Sequence, residues 1–114
     1  MFKPDARLKA LYLKYNKAFF DGALPVDTIV GYSEEISDAL WGLTVSVETE
    51  EAKHRYFCIY LDPVLKPPEM HRMRKMVLLH EMCHAKLCPN MRHGKLFEEE
   101  MTRLAIRGAF KGIW

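Results

Sequence analysis

The sequence predicts an α+β fold in one small domain spanning residues 1–114: an N-terminal helix, a three-stranded, mainly antiparallel sheet, a long helix and a C-terminal helix. Three observations carry this expectation. Apolar residues recur at helical spacing towards both ends of the chain, but alternate or run continuously between residues 26 and 61. Prolines and glycines mark the borders between these segments. A length of 114 residues suits one compact core and leaves no room for a second.

Residues 5–20 read as an amphipathic helix, with Leu8, Leu11, Tyr12, Tyr15 and Phe19 on one side and Lys9, Lys14 and Lys17 on the other. Pro4 and Asp5 suit its start. Asp21-Gly22 ends it, Gly22 being suited to an αL cap. Pro25 begins an extended segment through residue 32, rich in β-branched side chains. A polar turn over residues 33–38 leads to a second strand, in which Leu43, Val45 and Val47 alternate with Thr44 and Ser46. After an acidic turn over residues 48–51 comes a third strand, 55–61. It is nearly all apolar or aromatic, as expected of a strand covered on both faces. The short polar connection makes these last two strands an antiparallel pair.

Asp62-Pro63 and Pro67-Pro68 bracket a connector that cannot continue the sheet. Helical spacing returns over residues 69–87, with Met73, Met76, Val77, His80 and His84 down one side, and Pro89 stops it. A tight loop over residues 90–94 precedes a last helix, 95–107, carrying Leu96, Phe97, Met101, Leu104 and Ala105 inward. Gly108 caps it, and Phe110, Ile113 and Trp114 form an aromatic tail expected to pack back.

Composition bounds the function classes. The chain is 49% hydrophobic and 28% charged, which supports a globular core. A formal net charge of +2 is too small to argue for nucleic-acid binding by itself. Basic residues gather at 71–75 and again at Arg103, Arg107 and Lys111; a solvated face and a helix C-terminus account for them equally well. Three cysteines, Cys58, Cys83 and Cys88, are odd in number and lack a CxxC pair, which favours a reducing compartment. Residues 1–7 carry charges and no uninterrupted apolar stretch, so neither a signal peptide nor a membrane span is expected. A cytoplasmic protein with no membrane partner follows.

The centre of the chain is the stretch His80-Glu81-Met82-Cys83-His84, an HExxH motif inside an apolar helical run. Histidines four residues apart lie about 40° apart around a helix, so both imidazoles can reach one metal ion. Glu81, beside the first of them, can reach a water in an open coordination position. A catalytic zinc ion usually takes a third protein ligand. The metzincin spacing is excluded, because Leu87 and Asn90 stand where Gly and His would be needed. His93 is the better candidate, at a loop–helix junction where the chain can fold back, with Gly94 allowing close backbone approach. Glu98, Glu99 and Glu100 are the alternatives; their simplest role is a solvated first turn. His54 and His71 read as surface residues, and Cys83 as a small buried hydrophobe.

These motifs resemble the SprT-like metallopeptidase domain shared by bacterial SprT proteins and the eukaryotic Spartan protease. The resemblance covers most of the chain, through residues 15–25, the strand containing Gly42, residues 55–61, and above all 78–85 followed by His93-Gly94-Lys95-Leu96-Phe97. It implies a small zincin-like domain in which His80, His84 and His93 bind Zn2+ and Glu81 is the general base. It also implies a role on DNA-bound or DNA-crosslinked proteins, with a protein substrate and single-stranded DNA as a partner met through basic residues. Nucleoid association in the cytoplasm and a monomeric state go with that expectation. The gap between His84 and His93 is shorter than expected of the eukaryotic members, and these 114 residues hold no cysteine-rich zinc ribbon. The rival expectation is a catalytically inactive zinc-containing module that binds protein or DNA. Tyr56, Tyr60, His71 and Arg92 are able to donate to an oxyanion, but each reads more simply as structural or surface.

Overall fold

A computed structural model describes residues 2–35, 41–50, 54–90 and 92–113. The part of the polar turn from Ile36 on, Glu51 of the acidic turn, Met91 and Trp114 lie outside the described residues. The elements are β1 (Phe2–Pro4), α1 (Ala6–Phe19), β2 (Ile29–Ser33), β3 (Gly42–Thr49), β4 (His54–Leu61), α2 (His71–Lys86) and α3 (Lys95–Ile106). Two short 3-10 turns, Pro63–Leu65 and Pro68–Met70, link β4 to α2.

The class is α+β, but the sheet has four strands, not three, and is mixed, in the order β1-β2-β4-β3. β3 and β4 form the expected antiparallel pair, with Thr44 opposite Ile59. β2 runs parallel to β4, Val30 opposite Ile59, and β1 closes the other edge antiparallel to β2. The parallel pairing arises because β3 takes the edge and leaves the apolar β4 in the interior of the sheet. β1 had no periodic signal, being three residues that include Lys3 and Pro4. It is admitted by Gly31, where a Cβ would stand 2.1 Å from the Lys3 carbonyl oxygen.

α1 begins as expected, the Asp5 carboxylate accepting from the Leu8 amide at 2.8 Å as an N-cap. Leu8, Tyr12 and Tyr15 are buried, and they join Val30, Phe57, Ile59, Leu61, Leu78, Leu79 and Met82 in one core. Asn16, given no role from the sequence, is buried, and its side chain pairs with both the Leu24 amide and carbonyl. Phe110 and Ile113 pack back as expected. Leu96 is exposed instead of inward-facing, as is Ala105. The outer residues of β4, Tyr56, Cys58 and Tyr60, are only half-buried, so that strand is fully covered on one face alone. Among the described residues no helix is long and apolar enough to cross a membrane.

α3 is tied to α2 by Glu100, which is 7% exposed and accepts from Lys86 Nζ at 3.0 Å and from Arg103 Nε at 2.8 Å. Burial alone would raise its carboxyl, but Arg103 and Lys86 outweigh that and hold it below the usual carboxylate range. Its contribution is therefore fully present above the unfolded value and lost as pH falls through the lowered folded one. Glu100→Ala is expected to cost about 2 kcal/mol at neutral pH, read from the urea midpoint, and progressively less as pH falls through the lowered folded value.

Candidate metal centre

α2 is braced at its start by Arg74, which donates to the carbonyls of Leu65 and Lys66, both at 2.9 Å. Its core side is set by Leu78, Leu79, Met82 and Cys83, all fully buried. That anchoring fixes the helix rotation, so His80 and His84 emerge together on the flank facing the loop to α3. His93 lies on this loop, just before Gly94, the N-cap of α3. Gly94 is not needed for close approach: its backbone is extended, and an added Cβ would meet nothing within 4 Å.

The Nε2 atoms of the three histidines form a small triangle with sides of 2.9 Å (His84–His93), 3.0 Å (His80–His93) and 3.2 Å (His80–His84). Each nitrogen either carries a proton and donates or is bare and accepts, so three hydrogen bonds cannot close this triangle. Three bare nitrogens converging on a cation remove the conflict. Neighbouring ligands of a tetrahedral ion bound at about 2.0–2.1 Å stand roughly 3.3 Å apart, close to these separations. His80, His84 and His93 thus lie close enough to bind one metal ion. They are the trio expected from the sequence.

Phe97, expected only as a core residue, backs the whole cluster. Its ring centroid is 4.7 Å from that of His84 and 4.8 Å from those of His80 and His93. This apolar wall restricts the rings and excludes water from one side of them. Burial, together with the neighbouring His84 and His93, lowers the pKa of His80 to about 4, so its imidazole stays neutral and able to ligate across the physiological range.

Glu81 points away from the core towards β3 and is only 5% exposed. Its Oε1 accepts from the Thr44 hydroxyl at 2.8 Å, and the same hydroxyl lies 3.1 Å from the Glu81 carbonyl oxygen. Burial raises the carboxyl to about 7, against the opposing Thr44 hydrogen bond. β3 comes this close because of Gly42: a Cβ there would stand 2.8 Å from Val77 Cγ1 and 3.1 Å from Glu81 Oε2. Nothing in the sequence marks Thr44 or Gly42 as a neighbour of Glu81. The alternation marked β3 as a strand but not its polarity: Leu43 and Val45 face solvent, about 40% exposed, and Thr44 turns to the site.

A cavity of about 520 Å³ opens beside the trio and Glu81, walled by β3 and by Met76 and Val77 of α2. Tyr56, Tyr60, His71 and Arg92 do not line it. The alternative ligands lie elsewhere: Glu98 and Glu99 are exposed along α3, and Glu100 is committed to Lys86 and Arg103. His54 is exposed and paired with Asp27 at 2.6 Å. Cys83 is buried, and burial pushes its thiol up to about 12, in keeping with an inert core residue. Compared with models of known protein families, with curated proteins and with solved structures, the chain matches none of them.

Proposed function

We propose that the domain is a zinc-dependent peptidase in which His80, His84 and His93 hold the ion and Glu81 is the general base. The observation that carries this is the buried Glu81 carboxylate sharing one cavity with the three histidines. A site that only held a metal would have no use for a carboxylate whose burial disfavours its charge. Three imidazole ligands suit Zn2+ among the first-row ions.

Zinc, when bound, polarises a carbonyl and makes an adjacent water more acidic. The chain supplies the rest. Glu81 takes a proton from the attacking water and returns it to the departing amine. Thr44, donating to Oε1, fixes the carboxylate and leaves Oε2 to receive that proton. Phe97 and the buried side of α2 keep the ligand rings in place. In agreement with the resemblance to SprT-like domains, the substrate class is protein, extending to proteins bound or crosslinked to DNA. The exposed Arg72, Arg92 and Lys95, on α2 and around His93, suit a polyanionic partner such as single-stranded DNA.

The test is cleavage of an unfolded basic protein by the chain after chelation, and again after addition of one equivalent of Zn2+, with and without single-stranded DNA. Restored cleavage supports the peptidase, and stimulation by DNA supports the DNA-linked role. A chain that binds one zinc and cleaves nothing in either condition overturns the peptidase in favour of a binding module. Thr44→Val, which keeps the shape and deletes the hydroxyl, is expected to lower kcat about tenfold with KM little changed, and Thr44→Ser to restore most of it.

A further inference from the structure

The cavity beside the metal trio has a chemical character of its own. Trp41, Leu43, Met76 and Val77 supply apolar surface, and the bare backbone of Gly42 leaves room beside Val77 and Glu81 that a side chain there would take. The ionisable groups on its described lining are Glu81 and the three histidines, all occupied by the proposed chemistry. A charged side chain placed there has no productive partner. A lysine could pair only with Glu81, whose Oε1 is already taken by Thr44, and would disable the base. A carboxylate would compete with substrate for the metal. An aliphatic or aromatic side chain has neither fault and gains by leaving water.

We infer that this cavity is the subsite for an uncharged, apolar side chain flanking the bond to be cut. The inference rests on the peptidase reading for the word "cut", but the preference itself is a property of binding. It has a consequence for a basic, DNA-bound substrate: cleavage falls beside its apolar residues and not beside its lysines and arginines.

The experiment uses the full zinc-loaded chain and glycine–serine peptides, capped at both ends, carrying one variable residue: Leu, Phe, Lys or Glu. Cut bonds are located by mass spectrometry. Binding is read separately in the Glu81→Gln protein from Trp41 fluorescence, with Trp114→Phe leaving Trp41 as the remaining tryptophan of the two. The Leu and Phe peptides are expected to be cut next to the variable residue with kcat/KM at least tenfold above Lys and Glu, and to bind in the same order. Met76→Lys is expected to shift that order at least tenfold towards Glu, while Met76→Leu preserves it. Selective binding of the Leu and Phe peptides with no cleavage by wild type upholds the subsite and sinks the peptidase. Equal binding of all four peptides, or of none, overturns the subsite whether or not the chain cuts other proteins.

Discussion

Glu81→Gln is expected to abolish peptide hydrolysis, by about 10²–10⁴-fold in kcat, while one zinc remains bound. The side chain keeps its shape and can still accept the Thr44 hydrogen bond, so the loss isolates the proton transfer. Stability should move the other way. The folded carboxyl is raised to about 7 from 4.5 because burial disfavours its charge, so ionisation costs the metal-free fold stability. That penalty is absent below the unfolded value and complete above the folded one. Glutamine cannot ionise. The metal-free variant should therefore be more stable than metal-free wild type at pH 8, by about 3 kcal/mol at most, and indistinguishable from it at pH 4. Thermal unfolding of the two chelated proteins at both pH values checks this. A variant that cleaves as fast as wild type would sink the assignment of the base.

His93→Ala is expected to lower zinc affinity by at least about 100-fold, with the fold retained. The exposed loop position of His93 allows the truncation, whereas His84 is 9% exposed and its loss would also open the core. Excess zinc should stabilise wild type by mass action, by about 2.7 kcal/mol at 100 times Kd, and stabilise the variant far less. Proton linkage adds a second signature. At pH 6 the metal-free carboxyl of Glu81 is mostly protonated, and a nearby cation favours its ionised form, so zinc binding should release a proton there. Because His80 is held neutral down to about 4, it should contribute little to that release. Calorimetry in buffers of different ionisation enthalpy measures the proton count, and Glu81→Gln should reduce it. An equal count in the two proteins would mean that Glu81 does not change its protonation state when the metal arrives.

Much of this site could be read from the chain because its spacing is local. His80 and His84 are one helical turn apart, the apolar pattern around them sets a helix, and His93 follows after a connector too short to carry it far away. Residue order therefore dictates the histidine trio, the carboxylate beside it and the helix that bears most of them. The rest depends on non-local pairing. Thr44 reaches Glu81 across a separation of 37 residues, and no periodicity in either segment encodes that contact. The alternation in β3 specifies a strand equally well in either polarity, and its place at the sheet edge, with its polar side towards α2, is settled only when β4 takes the interior. The parallel union of β2 with β4 and the addition of β1 are of the same kind. Local sequence sets which groups can do the chemistry; the assembled sheet sets how closely Gly42 and Thr44 approach Glu81, because only backbone register brings distant residues within hydrogen-bond reach.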